Sequence, residues 1–374
     1  SDRDVAAIWR RVESWYRSGL CPTIALCVRR RGRIVLDRSI GAARGAAGGQ
    51  PEPASPDGLF GLFSASKMVV GVLVHQACGR GELELDAPVA DYVPEFGSAG
   101  KTEITVRDVL AHRSGVTALG EPTTLELLND WDRIMSNLCR ARPRLQPGRL
   151  GYHALSGGYI LGEVVERVTG LSLNQLIERD IAGPLGLDHF RYGASRDVQP
   201  SIAENLFTGL RVPAPLRPVV ESALGISAED ATRLSNAPRF YDAIVPAGNL
   251  VTTAEQACRF MEALRRGGEL DGVRIIEEAH LRAALAEHSH LELDNTLLLP
   301  VRYGLGFMLG GRVFSPYGLD TKEVFGHVGF TQVLLWADPV REVSGALLTS
   351  GKTFLSPGLL HFPLVMQTIA RRCR

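Results

Sequence analysis

The sequence predicts an α+β protein: an antiparallel β-sheet flanked by helices, built from two separated stretches of chain, with an all-α domain inserted between them. Three observations predict it. Strand-like runs cluster near both ends, the middle reads as amphipathic helices, and 374 residues exceed one ordinary hydrophobic core. On this pattern the discontinuous sheet domain covers 1–85 and 246–374. The mostly helical domain, expected to line the functional site, covers 86–245.

Val5, Ile8, Val12 and Trp15 recur at helical spacing behind a capping Ser1 or Asp2, so the chain opens with an amphipathic helix. TIALCVRR and RIVLDRSIG read as two strands joined by a turn at Arg31–Gly32. From Ala65 to Cys78 the chain is apolar on almost every side, with Gly79 as a stop, which describes a helix buried in the core. Between Asp86 and Val245, ITVRDVLAHRSG, TTLELLNDWDRIMSNLCR, SGGYILGEVVERVTG and SLNQLIERDIAGPLG read as helices separated by Gly/Pro turns. The stretch 196–239 is weakly patterned and reads as loops with short helices. Strand character returns in RYGLGFMLGG, EVFGHVGF, QVLLWADPV and EVSGALLTS, and PGLLHFPLVMQTIARRC closes the chain as a helix. No internal repeat interrupts this order.

Composition narrows the function. Forty-one basic residues balance 41 acidic ones, so no basic face for nucleic acid or anionic membrane is implied. No apolar run reaches the roughly 18–20 residues that span a bilayer. SDRDVAAIWRRV is amphipathic and does not read as a secretory signal, so the expected location is cytoplasmic. The six cysteines include no CxxC pair and read mostly as small buried hydrophobes. The histidines include no HExxH, and His288 and His290 in AEHSHLEL read as a solvated loop. Neither a metal nor an organic cofactor is expected.

Only four basic residues are lysine: Lys67, Lys101, Lys322 and Lys352. Arginine stays charged in a protein, whereas a buried lysine can lose its proton. Each retained lysine therefore asks what arginine could not do there. Gly351-Lys352-Thr353 is no phosphate loop, because Ala346 stands where the first glycine should be. GxSxG is absent, but Ser-x-x-Lys occurs twice where composition predicts fewer than one match. Ser98-Ala-Gly-Lys101 lies in the polar stretch EFGSAGKTE, where both side chains should be solvated. Ser64-Ala-Ser-Lys67 opens the buried helix. There i and i+3 share a face, burial favours the neutral amine, and the helix start favours negative charge beside Ser64. This pattern describes an activated nucleophile, with a capping serine beside a snorkelling lysine as the plainer alternative.

FGLFSASKMVVGVLVHQACGRGELELDAPVADYVPEF followed by ITVRDVLAHRSGV resembles the serine β-lactamase/penicillin-binding superfamily. Within it the likeness is to the class C-like branch with its family VIII carboxylesterases and related acyltransferases. LQPGRLGYHALSGGYILGEVVERVTG, IAGPLGLDHFRYG, VPAGNLVTTAEQACRFMEAL, YGLGFMLG and FGHVGF follow in the order of that family, from about residue 3 to 370.

The resemblance implies Ser64 as acylated nucleophile, Lys67 as its proton partner and Tyr152 as the relay to the leaving group. A phenol near a cation can share its proton below its free pKa of about 10. The backbone N–H groups of Ser64 and Phe330 would form the oxyanion hole. His327, Gly329, Phe330 and His153 would contact substrate, and His112 reads as structural. Two departures matter. Ala154 replaces the usual amide of Tyr-x-Asn, and His327 replaces the lysine of Lys-Thr-Gly, leaving a mostly neutral group where a carboxylate is normally held.

Both departures disfavour β-lactamase or D,D-peptidase work and favour an ester. The expected activity is carboxylesterase hydrolysis of a small-molecule ester through a Ser64 acyl-enzyme. The alternative is transacylation to an amine or alcohol, with the pocket walled by residues 116–150 and 196–245. A catalytically silent binding protein is the rival of another class, and intact Ser64, Lys67 and Tyr152 argue against it.

Overall fold

A computed structural model of the protein describes the whole chain except residues 219–220, 222–224, 314 and 374 and the side chain of residue 216. Its centre is a nine-stranded antiparallel sheet. The strands are β1 (Thr23–Arg30), β2 (Arg33–Arg44), β3 (Glu52–Pro53), β4 (Ser289–Leu293), β5 (Pro300–Tyr303), β6 (Met308–Leu309), β7 (Phe325–Gly329), β8 (Val333–Asp338) and β9 (Val343–Thr349). They lie in the order β4-β5-β6-β7-β8-β9-β1-β2-β3, so strands from the two ends of the chain meet where β1 pairs with β9. The fold class read from the sequence is the one observed.

Both faces of this sheet are covered, and the period-2 rule sorts its side chains between them. Ile24, Leu26 and Val28 of β1 pack with Leu334 and Trp336 of β8 under two terminal helices, α1 (Asp2–Tyr16) and α6 (His361–Arg372). Ala25 and Cys27 face the other way, with Ala346 and Leu348, toward α2 (Lys67–Gly79) and α5 (Ala254–Arg265). Burial on both sides is why QVLLWADPV and EVSGALLTS read as continuous apolar runs. Helix α2 is buried along almost its whole length, since it is wrapped by the sheet, α5 and the helical region.

Between 86 and 245 the described residues are mostly helical, with α3 (Trp131–Arg140) and α4 (Ser156–Thr169) the longest. The stretch TTLELLNDWDRIMSNLCR breaks in two because Asp130 turns its carboxylate to the Arg133 N–H at 3.0 Å and starts α3 afresh. Two short strands run against the all-helical expectation. Arg191–Tyr192 pairs with Leu250–Thr252, which also holds Phe60–Gly61, and Leu206–Thr208 lies parallel to Gly351–Thr353. Strands of two or three residues carry no readable period. They tie the helical region to segments of the two flanking stretches of chain. Residues 219–220 and 222–224, within the weakly patterned stretch, lie outside the described residues.

AEHSHLEL is not a simple solvated loop. Ser289–Leu293 forms the edge strand β4, whose polar outer face hides its strand character. His290 there pairs with Glu287, and His288 bonds the Ala286 carbonyl. Among the described residues no helix is long and apolar enough to cross a membrane.

Candidate active site

Ser64 stands in a 3-10 turn, Phe63–Ser66, that runs straight into α2. Several contacts fix this turn. Leu62 N–H donates to Leu250 O at 2.8 Å, Ser66 Oγ accepts the Leu250 N–H at 3.1 Å, and Tyr192 Oη donates to Ser66 O at 3.0 Å. Phe63 sits at φ 49°, a left-handed conformation unusual for a large side chain, so the turn is held by its surroundings rather than by local preference.

One helical turn on, Lys67 Nζ donates to Ser64 Oγ at 2.9 Å and to Ala247 O at 3.3 Å, and it lies 4.7 Å from the centre of the Tyr152 ring. Burial alone pulls its pKa well below the usual lysine value, because the ammonium form loses its hydration without gaining a carboxylate. The structure thus brings the lysine amine within hydrogen-bond reach of the serine hydroxyl.

Tyr152 is brought to the same place, but its electrostatics run opposite to expectation. Burial pushes the phenol pKa up, the negative charge of Asp294 pushes the same way, and only the hydrogen bond with Ser64 opposes them. The expected cation does not help, since Lys67 is itself driven toward its neutral form. The protonated phenol is the favoured form.

Three histidines crowd around. His112, at φ 59°, accepts the His153 N–H on Nδ1 at 3.2 Å and stacks its ring 4.8 Å from both Tyr152 and Tyr303, so its structural reading holds. His153 is a correction. Its ring is fully buried with Nε2 3.0 Å from Ser114 Oγ, packed under α4 and away from the cleft, so it is not available to substrate. His327 pairs Nδ1 with Val328 O at 2.7 Å, and burial brings its pKa down to about 3. A neutral imidazole therefore stands where the resemblance would put a cationic anchor.

Gly329 ends β7 directly beside the turn that carries Ser64. A Cβ on it would collide with Leu62 O, so glycine is what lets strand and turn close up. Phe330 follows, its ring 5.5 Å from that of Phe63. Among the described residues, neither the Ser64 nor the Phe330 N–H is spent on a backbone carbonyl. Ser64 and Phe330 line the same cleft.

The sequence reading missed Asp294. This carboxylate is fully buried, and its Oδ1 accepts the N–H groups of Tyr152 at 3.1 Å, Thr296 at 2.8 Å and Leu297 at 2.9 Å. It therefore fixes the backbone that carries Tyr152. The Asp-Asn-Thr turn signal in LDNTLL is the one sequence hint, and it points to a turn rather than to the site.

The cleft over Ser64 is a small open cavity of about 90 Å³, walled by Phe63, Leu128, Leu234, Phe240, Val245 and Phe330, among others. Its remaining lining is small or neutral, and no charged side chain among the described residues contributes to it.

Serine, buried amine, phenol and paired amides at the head of an apolar helix, on this sheet, define a serine hydrolase or acyltransferase. The chain belongs to the β-lactamase family, whose model, described as Beta-lactamase, matches residues 9–368. It is similar to the esterase/β-lactamase LipL of Mycobacterium tuberculosis, 30% identical over 311 residues, 79% of this chain and 70% of that protein. Among solved structures, a penicillin-binding protein homologue from Caulobacter crescentus superposes with a TM-score of 0.86 at 30% identity, covering 99% of this chain and 97% of the other. A family VIII carboxylesterase superposes with a TM-score of 0.84 at 26% identity, covering 99% and 98%.

Proposed function

We propose that the protein hydrolyses a small carboxylic ester with an uncharged, apolar acyl group through an acyl-enzyme on Ser64. The carrying observation is the 2.9 Å contact between a neutralised Lys67 amine and Ser64 Oγ, at the floor of a cleft without charged walls.

Ser64 Oγ attacks the ester carbonyl while Lys67 Nζ takes its proton. The tetrahedral oxyanion rests on the Ser64 and Phe330 N–H groups. As the carbon–oxygen bond to the alcohol breaks, Tyr152, kept protonated by burial, gives its proton to the departing alkoxide and is refilled from the Lys67 ammonium. Water then attacks the acyl carbon, loses a proton to the neutral Lys67, and Ser64 leaves with the proton returned. The names of the relatives, an esterase/β-lactamase and a family VIII carboxylesterase, support an ester as substrate. The neutral His327 and the missing cation in the wall support an acyl donor without a carboxylate, unlike penicillins or cell-wall peptides.

The test compares p-nitrophenyl butyrate, the half-ester p-nitrophenyl succinate and nitrocefin, with and without a primary amine in the buffer. The butyrate should exceed the other two in kcat/KM by about 100-fold, consistent with a charge left unpaired in an apolar cleft. Equal turnover of nitrocefin would overturn the preference for neutral esters. An amide product in large excess over free acid would replace hydrolysis by transacylation.

A further inference from the structure

The fourth lysine of the protein has no part in the steps above, yet it is one of the largest fully buried side chains in the fold. Lys352 lies on the short strand Gly351–Thr353 just after β9. Its Nζ donates to Thr349 O at 2.7 Å and stands 4.3 Å from the centre of the Phe63 ring. No carboxylate among the described residues pairs with it. Burial brings the Lys352 amine itself down to about 7, so near neutral pH it is only partly charged, and its titratable neighbour Cys21, its thiol pushed up to about 12 by burial, is uncharged.

Such an amine is costly to bury, and a chain that uses arginine almost everywhere has kept a lysine here. The geometry says what the amine faces. Phe63 immediately precedes Ser64 and holds a left-handed backbone. From Phe63 the aromatic group continues through Phe330, at 5.5 Å, to Phe354, a further 5.3 Å on. Phe63 and Phe330 thus flank the two free amides, and Lys352 sits against the first ring. An ammonium over an aromatic face is attracted by the ring quadrupole, and in its neutral form the amine can still turn an N–H toward the ring. A lysine's single compact head can meet one carbonyl and one ring together, whereas a planar guanidinium would bring donors with no acceptor there.

We propose that Lys352 is a positioning residue for acylation: its amine, anchored on Thr349 O, holds the Phe63 ring and thereby the turn that presents Ser64 Oγ and the paired amides. The inference rests on Ser64 being the nucleophile. Lys352 touches no reacting atom, so its loss should appear in the rate of bond formation and leave substrate affinity nearly alone.

The experiment measures the second-order rate of Ser64 labelling by diisopropyl fluorophosphate, a probe too small to depend on the cleft wall, and kcat and KM for an aryl ester. It uses wild type, K352M, K352Q, F63L and F63L/K352M, with S64A as control. K352M keeps the stem without the charge, and K352Q keeps a donor for Thr349 O without the charge. Both should slow labelling and kcat by about 5- to 10-fold, the size of a contact between a partly charged amine and a ring, with KM within about threefold. In the F63L background K352M should add less than about threefold, because the ring it acts through is gone. Wild-type labelling rates in K352M and K352Q would overturn the proposal. So would a loss of equal size in both backgrounds, or failure of both single variants to accumulate as folded protein, since each marks an amine needed only for packing. Labelling that persists in S64A would instead sink the assignment of the nucleophile.

Discussion

The protein carries the same four-residue pattern twice, and the two copies became different things. At Ser64–Lys67 the amine points at the serine hydroxyl, with one long bond to a carbonyl besides. At Ser98–Lys101 the amine is equally buried, against the expectation of a solvated pair. Its Nζ donates to the carbonyls of Ser98 at 2.8 Å, Cys139 at 2.9 Å and Ala141 at 2.6 Å, and Ser98 Oγ bonds Cys139 O instead of the lysine. Three carbonyls satisfy three ammonium protons, so Lys101 serves as a clamp between the loop and the end of α3. A lysine becomes a base when its surroundings leave its proton unsupported, and a staple when they accept every proton it has. Spacing along the chain does not distinguish the two; the acceptors around the amine do.

The largest test of this contrast is to remove each hydroxyl. S64A should lower kcat at least about 10⁴-fold, as losses of a nucleophile do, while S98A should leave ester turnover unchanged. A measurable loss of chemistry in S98A would erase the distinction.

Removing each amine sharpens it further. K67M should lower kcat by about 10³-fold with the melting temperature little changed or raised, because a buried charge-prone group is replaced by an apolar one. K101M leaves three buried carbonyls without a donor. It should lower the melting temperature by several degrees, from a cost of about 1–3 kcal/mol for unsatisfied buried groups, with kcat per folded molecule retained. Thermal melts paired with active-site titration would separate the two outcomes.

The smallest effect is in pH. Lys67 is lowered by burial, so its amine is neutral, and competent as a base, above a pKa well under 10.5. The rate should fall as pH drops through that value. Tyr152 is shifted the other way and should add no alkaline decline below pH 10. K101M should leave the acid limb where it is; a shift of more than half a unit in that variant would tie the two lysines together.

What could be read from the sequence follows where periodicity is strong. Val5, Ile8, Val12 and Trp15 announced α1, and the runs around Leu26 and Leu347 announced the two central strands, because burial on fixed faces leaves a regular trace. Ser64, Lys67 and Tyr152 were legible through motif order, and the structure brings all three together. Asp294 was not legible, because its importance lies in three amides gathered by a turn from a distant part of the chain. The direction of the Tyr152 shift was misread for a related reason: a nearby cation was assumed, and burial had already discouraged its charge. His153 was placed by adjacency to Tyr152, whereas successive residues in an extended segment point apart. β4 was lost because the alternation of His290 and Glu292 with Leu291 and Leu293 is short, its leucines are exposed at the sheet edge, and its pairing with β5 is irregular.

The walls of the cleft come from segments hung outside the sheet, while the reacting groups sit on a helix locked into its interior. Among these wall residues Leu234 is half-buried and free to vary, whereas Leu128 and Phe240 also belong to the hydrophobic core. A lineage using this scaffold could exchange its diet by point substitutions in the rim, keeping the same reaction through each change of food.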